Sequence, residues 1–162
     1  MRKPIVVVAP HPDDEIIGCF EVLSKARFAS VVYVEKVDKG RERDALKISD
    51  ILNVFSMDFL KGKISLIRSK IESFEEGRYY FPDPVYETHP SHRMIGAVGE
   101  EFLRKGYDVI FYSTNMQAPY IHEVKNPKAK LQHLNYLYSG EKSLWENDYK
   151  YWLFEGYNRW IL

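Results

Sequence analysis

Two short segments concentrate residues able to do metal or acid–base chemistry. Residues 11–15 read His-Pro-Asp-Asp-Glu, one imidazole and three carboxylates on a turn stiffened by Pro10 and Pro12. Residues 89–92 read His-Pro-Ser-His, two imidazoles at i, i+3. A catalytic zinc site takes three imidazole or carboxylate ligands and keeps one position open for water. A histidine and an aspartate from the first segment, with a histidine from the second, complete such a set. A carboxylate is then left beside the metal as general base, and an imidazole across from it to stabilise an oxyanion. Mixed nitrogen and oxygen donors favour zinc, and they also admit iron or manganese.

Each feature alone has a plainer explanation. Asp13 or Asp14 by itself is more often a helix cap than a ligand, and a helix N-terminus tolerates adjacent carboxylates. A lone His-x-x-His pair binds metal in only a minority of proteins. The conjunction of both segments is what outweighs these explanations.

Such side chains need a frame that brings the two segments together. Residues 4–9, Pro-Ile-Val-Val-Val-Ala, form a continuous β-branched run, the pattern of a strand buried on both faces of a parallel sheet. Pro10 and Pro12 end it, and Ile16, Ile17, Phe20 and Leu23 then recur at helical spacing. A second apolar run at 31–34 completes a βαβ start. Beyond Asp38-Lys39-Gly40, an amphipathic helix is expected over residues 41–54. Residues 63–75 read either as strand then helix or as one helix. Residues 77–90, with three prolines, read as a long irregular loop. A helix over 92–105, a stop at Gly106 and a buried strand over 107–112 follow. The expected fold is therefore α/β: a Rossmann-like, doubly wound, mostly parallel sheet with helices on both faces and a helical, aromatic-rich C-terminus, all in one domain spanning 1–162. In such sheets ligands bind beyond the carboxyl ends of the strands, where both histidine segments fall.

Composition removes several function classes. Lysine and arginine total 23, aspartate and glutamate 23, so no basic excess argues for nucleic acid or an anionic membrane. The single cysteine, Cys19, excludes an internal disulfide and is expected as a small buried hydrophobe. No apolar run is long enough to span a bilayer, and the apolar stretch near the N-terminus is too short for a signal segment, so a cytoplasmic location is expected. No glycine-rich turn follows the first strand, and three acidic residues there would repel a pyrophosphate, which argues against a phosphate-binding protein.

The run Val8-Ala9-Pro10-His11-Pro12-Asp13-Asp14-Glu15 resembles the signature of the PIG-L/LmbE-like N-acetylglucosaminyl deacetylase family, whose members carry Ala-His-Pro-Asp-Asp-Glu after the first strand. His89-Pro90-Ser91-His92 is similar to the family's second motif, His-Pro-Asp-His, and Arg41-x-x-Asp44 is a looser counterpart of its Arg-x-x-Glu element. The resemblance covers about residues 4–115, with a faint further match at 130–139. It implies a Rossmann-like mononuclear zinc hydrolase that removes acetyl from an N-acetylated amino sugar. Carried over by position, His11, Asp14 and His92 would bind the metal, and Asp13 would be the general base acting on the attacking water. His89 would stabilise the oxyanion as imidazolium, Glu15 would be a supporting carboxylate, and Arg41 would grip substrate hydroxyls. Of the tyrosines before His89 (Tyr79, Tyr80 and Tyr86), Tyr86 is the best placed to donate a hydrogen bond to the oxyanion.

Two departures bear on these expectations. Ser91 stands where the family carries an aspartate that would support His89 as imidazolium, so activity should be lower or the pH optimum more acidic unless Glu87 substitutes. The chain is also shorter than family members usually are, which implies a more open pocket or one completed by a neighbouring subunit. All three tryptophans, Trp145, Trp152 and Trp160, lie in the last eighteen residues. They read as the buried stripe of an amphipathic terminal helix, with a homo-oligomer interface or a sugar-stacking wall as further uses. His122 and His133 read as surface or structural residues. The rivals to a deacetylase are a catalytically impaired binding protein on the same fold and a zinc amidase acting on a non-sugar or nucleoside-linked substrate.

Overall fold

A computed structural model of the chain describes residues 3–161. The β-branched run forms β1 (Ile5–Ala9), and its alternate side chains go to opposite sides: Val6 and Val8 enter one hydrophobic core, Val7 and Ala9 the other. Helix α1 (Asp14–Lys25) and β2 (Ala29–Tyr33) follow as the pattern predicts. Then come α2 (Lys39–Leu46), a 3-10 turn (Lys47–Asp50), β3 (Val54–Phe59), α3 (Leu66–Glu72), β4 (Arg78–Pro82), α4 (Pro90–Arg104) and β5 (Asp108–Ser113). The last third holds β6 (Tyr120–Glu123), α5 (Pro127–Tyr138), a second 3-10 segment (Ser139–Leu144), α6 (Lys150–Leu153) and β7 (Phe154–Tyr157).

The seven strands form one mostly parallel mixed sheet in the order β3-β2-β1-β4-β5-β7-β6. The first five are parallel, and β7 runs antiparallel to both β5 and β6. Helices cover both faces: α1, α2 and α5 pack into one core, α3 and α4 into the other. No helix among the described residues is long and apolar enough to cross a membrane.

Three expectations are corrected. The helix expected over 41–54 stops at Leu46, and the segment expected to end it opens β3, an edge strand whose mixed polar and apolar face hides its signal. The loop expected over 77–90 begins instead with β4, a central strand with Tyr79, Tyr80 and Phe81 buried. Its prolines do not obstruct the ladder, because Pro82 is the strand's last residue. The tryptophan stripe does not exist as one helix. Trp145 caps the second 3-10 segment and is fully buried, Trp152 lies in the one-turn α6, and Trp160 lies beyond β7 and is 61% exposed. Residues 63–75 contain one short helix, α3, and no strand. Cys19 is buried, as expected.

Helix α4 sits close on β4 because Gly96 permits it. A Cβ added there would lie 2.4 Å from the Pro82 carbonyl oxygen, a backbone atom that cannot swing aside. Gly96→Ala is expected to cost about 1–3 kcal/mol of stability through this overpacking. Urea unfolding checks it, and a midpoint equal to wild type would show that α4 can shift on the sheet.

Candidate metal centre

The strand order reverses at β1: the chain runs outward through β2 and β3, then returns to the other side of β1 as β4. A crevice opens at such a switch point beyond the carboxyl ends of the strands. The turn after β1 delivers His11, Asp13 and Asp14 there, and the loop from β4 into α4 delivers His89 and His92.

His11, Asp14 and His92 converge, with one potential ligand atom from each lying within 4.8 Å of the other two, and could hold a metal ion. Asp14 Oδ2 is 3.4 Å from His11 Nδ1 and 3.5 Å from His92 Nε2, and it accepts the His11 backbone N–H at 2.9 Å. Asp14 and His92 are buried, whereas His11 keeps 29% of its side chain exposed, which leaves the cluster open on that side.

The chemistry of the donor set fits a divalent cation. His92 Nδ1 lies 3.2 Å from Glu87 Oε1, so Glu87 takes that nitrogen's proton as its hydrogen bond and the Nε2 lone pair is turned toward Asp14 and His11. Glu87 is itself fixed by the Thr114 N–H at 3.0 Å and the Thr114 hydroxyl at 2.7 Å. A carboxylate on the far nitrogen of a ligating imidazole is the usual outer support of a metal site. Burial alone would push the His92 imidazolium down, but Asp14 and Glu87 outweigh it and hold it up. Burial likewise pushes the Asp14 carboxyl up, and His92 and His11 more than reverse that. The two shifts are two sides of one attraction, between the Asp14 carboxylate and the imidazoles beside it.

Asp13 occupies the N-cap position of α1, yet its side chain makes no capping hydrogen bond. The capping explanation therefore fails for this residue. Its backbone is held at φ 125°, a region that non-glycine residues rarely adopt, which turns its carboxylate away from the helix end. Burial raises the Asp13 carboxyl well above the usual aspartate range, the Asp14 and Glu15 charges add to this, and Arg41 opposes it. Arg41 Nη2 donates to the Pro12 carbonyl and lies 3.5 Å from Asp13 Oδ2, while Glu141 lies 3.8 Å from Arg41 Nε. Arg41 thus clamps the turn that carries Asp13, with a quarter of its side chain exposed.

His89 caps α4 from the solvent side. Its Nδ1 accepts the Ser91 N–H at 3.2 Å and lies 2.8 Å from the Ser91 hydroxyl, so the neutral ring carries its proton on Nε2. Its ring centroid is 5.0 Å from that of His92 and 5.9 Å from that of His11. Glu87 lies against His92. Glu15 is fully buried, its carboxyl raised to about 7 by burial against the hydrogen bonds it accepts. Tyr79 and Tyr80 belong to the sheet core, and Tyr86 is 40% exposed in the loop before His89.

His122 and His133 lie elsewhere. His122 stacks on Tyr157, and His133 Nδ1 meets the Ala129 carbonyl at 2.6 Å, so both are structural. Sequence reasoning raised Glu87 only as a support for His89 and missed its bond to His92, the Thr114 that fixes it, Glu141 beside Arg41, and the Tyr33 and Tyr138 hydroxyls that Glu15 accepts. The chain matches no family model, no curated protein and no solved structure.

Proposed function

We propose that this chain is a zinc-dependent N-deacetylase of the PIG-L/LmbE type on a Rossmann-like sheet, acting in the cytoplasm on an N-acetylated amino sugar. The observation that carries the reading is Asp13, an uncapped, strained, buried carboxylate beside the convergent His11, Asp14 and His92. A purely structural turn has no use for that arrangement.

His11, Asp14 and His92 would hold the cation. When bound, it supplies Lewis acidity, polarising the amide carbonyl and making water acidic enough to lose a proton near neutral pH. Asp13 takes the proton of the attacking water, the role of a buried carboxylate whose affinity for a proton burial raises. The water oxygen bonds to the acetyl carbon. The His89 Nε2–H, which has no partner among the described residues, donates to the oxygen that gains charge. Asp13 then returns its proton to the amine nitrogen as the C–N bond breaks, releasing acetate and a free amine. Arg41 offers its exposed edge to substrate hydroxyls and Tyr86 its phenol to the oxyanion. Self-association through the exposed Tyr120 and Trp160, 6.2 Å apart between ring centroids, belongs to the same reading, and a monomeric mass by light scattering would remove it.

The test is acetate release by the zinc-loaded chain from an N-acetylglucosamine glycoside and from an N-acetyl amino acid. Release from the glycoside supports the reading. Release from the amino acid alone makes the chain an amidase of another substrate class, and release from neither makes it a binding protein.

The Ser91 backbone N–H donates to His89 Nδ1, and the Ser91 hydroxyl lies 2.8 Å from the same nitrogen. Ser91→Asp keeps that backbone donor and puts a carboxylate in place of the hydroxyl, a negative charge that favours the imidazolium form of His89. It is expected to move the alkaline limb of the pH–rate profile to higher pH, and an unchanged profile would show that His89 does not act as imidazolium.

A further inference from the structure

Asp13 must be held against its own backbone preference, and the structure shows what holds it. Its N–H donates to Glu15 Oε2 at 2.9 Å, and its carbonyl accepts the N–H groups of Ile16 and Ile17 at 3.0 and 2.9 Å. The carbonyl bonds belong to any helix start. The N–H bond does not, because it depends on where the buried Glu15 carboxylate lies.

Glu15 is anchored by its other oxygen. Oε1 accepts the Tyr33 hydroxyl at 2.9 Å and also the Tyr138 hydroxyl, from 123 residues away. The two hydroxyls lie 3.5 Å apart, so both point at one oxygen from β2 and from the end of α5. Glu15, Tyr33 and Tyr138 are all buried, out of reach of bulk solvent. Three residues beyond Tyr138, Glu141 approaches Arg41, whose guanidinium meets the Asp13 carboxylate and the Pro12 carbonyl. The end of α5 and the 3-10 segment after it therefore reach Asp13 from two sides, Tyr138 through Glu15 to its N–H and Glu141 through Arg41 to its carboxylate.

We infer that Tyr138 is a positioning residue for Asp13, acting through Glu15 to keep the Asp13 backbone in its left-handed conformation. The inference concerns how Asp13 is placed, and its kinetic consequence rests on the deacetylase reading. Removing the Tyr138 hydroxyl leaves Glu15 Oε1 with Tyr33 alone, so the carboxylate can turn and the Asp13 N–H loses its fixed acceptor. The fold itself keeps the aromatic ring.

The test follows the Asp13 amide by hydrogen exchange in the 15N-labelled full chain with one equivalent of zinc. It compares wild type with Tyr138→Phe, Tyr33→Phe and, as a control from the same helix, the exposed Tyr136→Phe. Exchange at Asp13 is expected to quicken about tenfold in Tyr138→Phe and measurably in Tyr33→Phe, with Val7 and Val8 of β1 unchanged. Tyr136→Phe should match wild type throughout. An Asp13 amide equally protected in Tyr138→Phe overturns the inference. So does a proportional quickening at Val7 and Val8, which would mean that the tyrosine acts on the fold as a whole.

Where the chain hydrolyses an acetamide, Tyr138→Phe should lower kcat about tenfold with KM and zinc content unchanged, the size expected for an outer support. A fall in zinc content that accounts for the lost activity would overturn the kinetic half. A wild type that hydrolyses nothing, with the Asp13 amide responding as expected, would sink the deacetylase reading and leave the positioning role standing.

Discussion

Asp13→Asn is expected to lower kcat about a hundredfold to ten-thousandfold while leaving zinc content unchanged, since a positioned general base contributes that much. The amide keeps the size and shape of the carboxylate and can still lie near Arg41, but it cannot accept the proton of the attacking water. Asp13 is not in the convergent set of His11, Asp14 and His92, so the cation should stay. The split between lost turnover and retained metal is the informative part. Loss of both together would make Asp13 a ligand or a structural support, and full turnover would move the base to another residue.

The second large effect lies away from the site. Lys130 and Glu155 are both fully buried, with Lys130 Nζ 2.9 Å from Glu155 Oε2. The ammonium also donates to the carbonyls of Ile17 at 2.6 Å and Phe154 at 3.3 Å, so one lysine ties α5 to α1 and to the start of β7. Glu155 in turn accepts the Tyr157 hydroxyl at 3.0 Å. Lys130→Met removes the charge that compensates Glu155 and leaves the buried Ile17 carbonyl and the partly buried Phe154 carbonyl without this donor. Breaking such a pair from one side costs about 3–5 kcal/mol, a large share of a small domain's stability. Urea unfolding should show the loss, and the double variant with Glu155→Gln should recover part of it. A single variant as stable as wild type would mean that Glu155 takes up a proton without cost.

These two residues also mark what a single sequence can and cannot show. The strand, turn and helix that present His11, Asp13 and Asp14 were legible, because a β-branched run broken by two prolines has few other foldings. The i, i+3 histidines at the start of α4 were legible from spacing. By contrast β4, the strand that carries the second histidine segment to the site, was hidden by the prolines after it, although Tyr79-Tyr80-Phe81 is a good strand former. The polar face of β3 and the late antiparallel pair β6 and β7 were hidden for a related reason: neither carries the continuous apolar run that marks a strand buried on both faces.

At the site, what local pattern encodes was readable and what long-range packing decides was not. That His92 turns one nitrogen to Glu87 depends on Thr114, which β5 delivers. That Asp13 is strained rather than capping depends on Glu15, and Glu15 depends on Tyr138. Lys130 looks in the sequence like an ordinary surface lysine on an amphipathic helix, and only its own burial and its three acceptors show otherwise.

The central claim is that His11, Asp14 and His92 form a metal site, and the metal content of the purified chain tests it most directly. Wild type and His92→Ala would be purified in parallel without added metal, and each would then be dialysed against zinc and assayed for bound ions. The account predicts about one equivalent of zinc or iron in wild type, and its loss in His92→Ala. Wild type without metal even after zinc is added back, or His92→Ala retaining a full equivalent, would contradict it.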